Sequence, residues 1–462
     1  MSARQPNLII VGVDSLRADH MSTYGYERLT MPHLDRCAAE GIVVEDHVSP
    51  AIPTTPGYAS MLSGRDSFGT GVVGLRHHGP LAPEVVTMAE VLSSQGYRSS
   101  CIGFTGNPAA RGFEAYLDFE GWMAGSDHRA HKASQLNAVT IPELRRLAGG
   151  GDPFFLFLRH MDPHTPYLPP EPFDRLFYSG DEFDPENRSM DPVYGFAPFG
   201  DYFRSWLPKG CTDRNYVDAQ YDGALAYLDA SLQELLGALD ELSIAGNTLV
   251  VLTADHGETL YEHECFYDHH GLYEPTLRVP LVFLWPGHLS GARITGQSHA
   301  KDVYPTILEL LGLPDDPATD GRSLVPRWQG GAPPAEPEWY LTEATWMRKH
   351  GWRTTEWKLI EALEPDFHFK PPVELYHLGT DPLELHNLAD EEPEVVEYLR
   401  GRMNRHIERR VRETGRPAPI TTMLDWRGPG TKPFTSSQEA YEGLHIGSLH
   451  RARQIQAGGE SP

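Results

Sequence analysis

The chain has 462 residues, 40% hydrophobic and 22% charged, with 64 acidic against 39 basic side chains and a formal net charge of -25. That balance excludes a disordered or membrane-embedded chain and argues against a partner such as nucleic acid, while a small anion held at a bound cation stays within reach. The length points to one large domain plus an attachment; with four cysteines (Cys37, Cys101, Cys211, Cys265), no CxxC pair and no long apolar run, the expected location is cytoplasmic, with no membrane partner.

In chain order, residues 7–14 form a short apolar run ending in a carboxylate, as expected of a strand buried on both faces of a parallel sheet. Similar runs recur at 153–158, 248–253 and 281–285, and a helical pattern spans 215–242. Residues 169–209, crowded with Pro, Gly, Asp and aromatic side chains, read as a long excursion at the rim of a site. Past a Gly-Gly-Ala-Pro-Pro boundary at 330–334 come short strands at 339–342 and 357–360 and a helix at 393–410. The expected fold is α/β: a mostly parallel central sheet flanked by helices over 1–335, a smaller C-terminal α+β subdomain over 336–415, and an irregular extension over 416–462.

Two of these strands end in donors suited to a metal. Asp14 closes the first, and Asp255 with His256 closes the run at 248–253, where Gly257 permits a turn that lets both side chains face one ligand. Each alone reads equally as a helix cap or a satisfied core histidine; together they suit a divalent cation. Residues 50–65 place Thr54 and Thr55 in a constrained turn before a helix, where a hydroxyl attacks while helix-start N–H groups hold developing negative charge. An N-cap is the plain alternative for either threonine. In the segment 159–167, His164 offers a proton donor for a leaving oxygen.

These four clusters, in this order, resemble the sulfatase family of the alkaline-phosphatase superfamily over most of the chain. The family's opening metal strand is similar to Val13-Asp14-Ser15-Leu16-Arg17-Ala18-Asp19, its nucleophile turn to Thr54 through Arg65, its histidine-proline motif to His164-Thr165-Pro166-Tyr167, and its second metal strand to Asp255-His256-Gly257-Glu258. A later signature beginning His269-His270 and ending Arg278-Val279-Pro280, and the stretch from Glu374 to Asn387, are similar too. The resemblance implies the alkaline-phosphatase-like sulfatase fold and metal-dependent ester hydrolysis. It assigns Asp14, Thr54, Asp255 and His256 to the metal and His269 and His270 to the substrate.

This chain also departs from the family. Sulfatases carry Cys or Ser at the nucleophile position, converted to formylglycine, followed by proline and arginine; here those positions hold Thr54, Pro56 and Tyr58. Threonine cannot become that aldehyde, because its β-carbon bears a methyl group, so no formylglycine is expected. The second opening aspartate is Ser15, and the sulfate-gripping lysine and histidine fall where this chain reads Cys101 to Pro108. These losses point toward relatives with a metal-bound threonine, including phosphodiesterases, and make Asn107 the analogue of an asparagine that holds a phosphoryl oxygen, or else a turn residue before Pro108.

The expectation is a hydrolase of small anionic esters, phosphate favoured over sulfate, using one divalent cation (Mn²⁺ or Mg²⁺, with Zn²⁺ or Ca²⁺ as alternatives), Thr54 as nucleophile and His164, or His269 or His270, as acid. The alternatives are a sulfate-ester hydrolase working with unmodified threonine and a binding protein that kept the fold without catalysis. A second metal on Glu262, His263 and Glu264 with Asp268, His269 and His270 is a further alternative.

Overall fold

Residues 7–13, NLIIVGV, have no polar face to give to water, and every one of them is buried. This strand, β1 (Asn7–Val13), lies inside an eight-stranded sheet with β2 (Ile42–Val48), β4 (Arg98–Ile102), β5 (Ala115–Leu117), β6 (Phe154–His160), β7 (Thr248–Ala254), β8 (Arg278–Leu284) and β9 (Ala292–His299), in the order β5-β4-β6-β1-β7-β8-β2-β9. Neighbours pair in parallel except where β8 runs against β7 and β2, so the expected mostly parallel sheet is present. This computed structural model describes residues 5–422 apart from 75–79, 122–128, 197–198, 333–336, 346, 364–365 and 367. The expected extension therefore lies outside the described residues beyond 422.

Alternation along each strand splits the core in two. Ile9, Val11, Val13, Leu156, Leu158, Val250 and Leu252 meet the long helix Arg214–Glu241 and the helix Lys132–Gly149 on one face. Leu8, Ile10, Phe155, Phe157, Leu249 and Val251 meet the helices Thr54–Ser63, Met88–Ser94 and Val303–Leu310 on the other. The long helix starts where Asp213 accepts the Asn215 N–H at 2.9 Å.

A second sheet, in the order β13-β12-β11-β10-β3, contains β3 (Ala51–Ile52), β10 (Trp339–Ala344), β11 (Arg348–Arg353), β12 (Trp357–Ala362) and β13 (Val373–His377). Its edge strand β3 immediately precedes Thr54, so this sheet buttresses the nucleophile turn. The helix Pro393–Thr414 covers the sheet with Val396, Leu399 and Met403. Glu274, which opens the short helix Glu274–Leu277 before β8, is clamped by Arg353 at 2.8 Å and Lys358 at 2.7 Å. The segment 169–209 is not purely irregular: it holds short helices at Phe173–Arg175, Asp191–Gly195 and Gly200–Trp206, the last of which packs Trp206 beside Tyr167 and Phe203 beside Tyr267.

Candidate active site

Because β1, β6 and β7 run in parallel, their carboxyl ends open on one edge, the usual ligand position in such sheets. The Asp14 N–H donates to His160 O at 2.9 Å, extending the β1–β6 ladder by one rung. Ser15 then turns the chain with φ 64, and Tyr221 fixes the turn by donating to Ser15 O at 2.8 Å and accepting the Arg17 N–H at 3.0 Å. At the end of β7, Gly257 donates to Thr276 O at 2.8 Å and packs so closely that a Cβ would fall 2.0 Å from Pro275 O. The helix Thr54–Ser63 closes onto the same edge through Gly57, whose missing Cβ would sit 2.5 Å from Asp255 O.

Asp14, Asp255 and His256 are fully buried, with ligand atoms within 4.8 Å of one another. His256 donates from Nδ1 to Gly257 O at 2.9 Å, which puts the lone pair on Nε2. Nε2 faces Asp14 Oδ1 at 3.7 Å, Asp255 Oδ2 at 3.5 Å and Thr54 Oγ1 at 3.3 Å. Lone pairs thus converge, and Asp255 Oδ2 has no hydrogen-bond partner although it is buried. Such a nest of acceptors is costly by itself and fits a cation.

The electrostatics agree. Burial would raise the Asp14 carboxyl, but Arg159, with His164, His256 and His269 around it, holds it well below the usual carboxylate range. Arg159 donates to Asp14 Oδ2 from Nε at 3.0 Å and also from Nη2, which orients Oδ1 toward His256. Burial and the charge of Asp14 instead push the Asp255 carboxyl up.

Thr54 opens its helix and is 7% exposed. His164 donates from Nδ1 to Thr165 O at 2.7 Å, and its ring lies 5.7 Å from that of His269, which stacks on His256 at 4.5 Å. Burial lowers the pKa of His164. Thr54, Asp14, Asp255, His256, His164 and His269 therefore gather at one edge. His270 turns away, with Nδ1 3.1 Å from His368 Nε2 and its ring against Phe199. Asn107 caps Ala109 N–H with its carbonyl oxygen at 2.9 Å and donates to Thr55 Oγ1, not Thr54, at 2.9 Å. Tyr58, at the family's arginine position, packs edge-on against Phe104 and Phe157. Of the residues considered for a second metal, Glu262 pairs with Arg17, His263 stacks on Tyr273 and Glu264 pairs with Lys370.

Sequence reasoning did not single out Arg159, Lys132 or Glu258, and it named Asp268 only as part of the alternative second metal set. Arg159 was findable, since it sits at the end of an apolar strand as Asp14 does, opposite Gly12 in register. Lys132 carried no signal. It is 2% exposed and its Nζ donates to the carbonyls of Met161 (3.2 Å), His164 (2.5 Å) and Pro166 (3.0 Å), with Asp162 at 3.7 Å. Those bonds shape the loop that presents His164. Lys132→Met is expected to lower stability by about 3 kcal/mol or more, because three carbonyls and the buried Asp162 lose their cation together. Urea unfolding checks this, and a loss below about 1 kcal/mol would mean the loop holds without Lys132.

A sulfatase family model matches residues 6–313, and a model of the C-terminal region of N-sulphoglucosamine sulphohydrolase matches residues 261–411. Steryl-sulfatase of Rattus norvegicus is 26% identical over 86% of this chain and 87% of its own length. A multifunctional alkaline phosphatase superfamily protein of Trinickia caryophylli is 27% identical over 71% of this chain and 78% of its own. Among solved structures, the phosphonate monoester hydrolase of Agrobacterium radiobacter shares the fold, with a TM-score of 0.68 at 22% identity, covering 88% of this chain and 96% of that one.

Proposed function

The chain belongs to the sulfatase family, whose members are metal-dependent ester hydrolases, and from that premise we propose that it cleaves phosphoric esters with Thr54 as nucleophile and His164 as proton carrier. The observation that carries the reading is the meeting of Thr54 Oγ1 with the His256 lone pair, 3.3 Å away, beside two buried carboxylates. A threonine there keeps an unmodified hydroxyl, which supports phosphorus chemistry over the aldehyde-based route of sulfate hydrolysis.

Asp14, Asp255, His256 and Thr54 would hold one divalent cation, a mixed oxygen and nitrogen set suited to Mn²⁺ or Mg²⁺. When bound, such a cation supplies Lewis-acid stabilisation of negative charge and acidifies the Thr54 hydroxyl. Thr54 Oγ1 then forms a bond to phosphorus as the bond to the leaving oxygen breaks. His164 enters this step neutral, since burial lowers its pKa, and its Nδ1–H is committed to Thr165 O, so Nε2 is the accepting nitrogen. It takes the proton released by Thr54 and returns it to the leaving oxygen. Water then forms a bond to phosphorus, giving a proton to His164 as the bond to Thr54 Oγ1 breaks, and His164 passes that proton to Thr54 Oγ1, which regenerates the hydroxyl and the neutral imidazole. The Thr54 amide opens a helix N-terminus, where N–H groups favour the anionic group. The substrate is a small anionic ester, and Asn107 and His269 border it in this reading, whereas His270, which faces His368, does not.

Turnover of aryl phosphate monoesters, phosphate diesters, phosphonate monoesters and aryl sulfates with added Mn²⁺ tests the reading. The best phosphorus ester is expected to exceed the aryl sulfate in kcat/KM by at least about tenfold. Because the relatives include a steryl-sulfatase, the opposite order would make this a sulfuric-ester hydrolase working with threonine.

A further inference from the structure

We propose that Glu258, Asp268 and His269 form a second divalent-cation site, adjoining the trio of Asp14, Asp255 and His256. The ligand atoms of these three residues lie within 4.8 Å of one another. The proximity is built by the backbone: Thr259 and Asp268 form an isolated antiparallel bridge, with Thr259 N–H to Asp268 O at 2.9 Å and Asp268 N–H to Thr259 O at 3.2 Å. The loop between them is thereby pinched at its neck, and the residue before the neck, Glu258, faces the residues that close it, Asp268 and His269.

Glu258 is the strongest sign of a missing partner. It is fully buried, and neither carboxylate oxygen has a hydrogen-bond partner. The charges that bear on it most are those of Asp268 and Asp14, both acidic, and the hydroxyls of Ser15 and Tyr167 lie near without closing a bond of proper geometry. Tyr167 Oη is itself buried and unpartnered. Among the described residues no lysine or arginine side chain is within ion-pair distance of Glu258 or Asp268; Arg17 reaches only the Glu258 backbone carbonyl, and Lys132 is committed to Asp162 and three carbonyls. A buried carboxylate with no donor is destabilising whether it is charged or neutral, and a cation removes that cost.

The donors are appropriate. His269 Nδ1 stands 3.0 Å from Asp268 Oδ1 and has no hydrogen-bond partner, so its lone pair is left for a third party, while Asp268 Oδ1 accepts the His269 backbone N–H at 2.8 Å, which holds the carboxylate at the neck. Two carboxylates and an imidazole suit Mn²⁺ or Zn²⁺ better than Ca²⁺, which prefers an all-oxygen shell. The Asp268 side chain, 14% exposed, is the opening of an otherwise buried group and gives an ion its entry. His269 stacks on His256 at 4.5 Å, so the two sites share a wall. The second site rests on the proposed function only for its use: paired cations would place charge on both the attacking and the leaving side of the transferred group.

The test counts metal on the full chain, stripped with chelator, reloaded with Mn²⁺ and desalted, by elemental mass spectrometry, with electron paramagnetic resonance reporting coupling between neighbouring Mn²⁺ ions. Wild type is expected to hold two equivalents with a coupled spectrum. Glu258→Gln, close in shape, and Asp268→Asn, at the partly exposed edge, should each hold one equivalent with an uncoupled spectrum, with melting temperatures measured without metal confirming the fold. A wild type that holds one equivalent, or a Glu258→Gln protein that still holds two, overturns the proposal. Asp255→Asn separates the two readings: it should lose the other equivalent and keep that of Glu258, so retention of both there counts against the trio and not against this site.

Discussion

Thr54→Ala is expected to lower kcat by about three orders of magnitude or more, because removing a nucleophile that acts in concert with its base forfeits most of their joint effect. The structural loss is small. Thr54 is buried, but among the described residues its side chain makes no hydrogen bond beyond the 3.3 Å approach to His256, so truncation should cost about 1 kcal/mol and leave the helix Thr54–Ser63 in place. Thr54→Ser, which keeps the hydroxyl and removes the methyl group, should stay within about tenfold of wild type. The pair distinguishes a reacting hydroxyl from a packing residue. Steady-state rates, with melting temperature and metal content measured on the same samples, give the answer, and an alanine variant within about tenfold of wild type would take Thr54 out of the chemistry.

The second large effect is expected at Asp255, where two consequences of one substitution have opposite signs. Asp255 lies buried against the negative charge of Asp14, and both burial and that charge oppose its ionisation. Without metal, Asp255→Asn removes this repulsion, so the metal-free variant should melt at the same temperature as wild type or above it. With metal, the variant lacks an anionic donor and should gain nothing from the ion. A ligand at about a hundred times its dissociation constant adds about 2.7 kcal/mol to stability, so wild type should show a clear rise in melting temperature on adding Mn²⁺ and a loss with chelator. Asp255→Asn should show neither, and its activity should be at background. If it were stabilised by Mn²⁺ as wild type is, Asp255 would not be a ligand.

The sheet's middle was readable from sequence because strands covered on both faces need continuous apolar runs, and β1, β6, β7 and the end of β8 have them. The outer strands were not. β4 (RSSCI) and β9 (ARITGQSH) carry polar residues, since they stand toward the edges. The helix Lys132–Gly149 was hidden by Pro142 inside it and by buried polar residues, among them Lys132 and Asn137.

At the site, legibility followed the same logic. Residues at the carboxyl ends of apolar strands, Asp14, Asp255 and His256, announce themselves because the fold has few reasons to place donors there. The approach of Glu258 to Asp268 and His269 depends on a bridge between Thr259 and Asp268 that no periodicity reveals. Neighbouring histidines are the clearest example: His269 stacks on His256 while His270 meets His368, and consecutive residues at a turn cannot be sorted between site and support without the backbone.

The most direct measurement is mass spectrometry of the acid-quenched protein after brief mixing with its best phosphorus ester, enzyme in excess. The account predicts a phosphoryl-sized increment on the peptide carrying Thr54, appearing before product release and absent from Thr54→Ala. Complete turnover with that peptide unmodified at every quench time, or an increment that persists in Thr54→Ala, would contradict it.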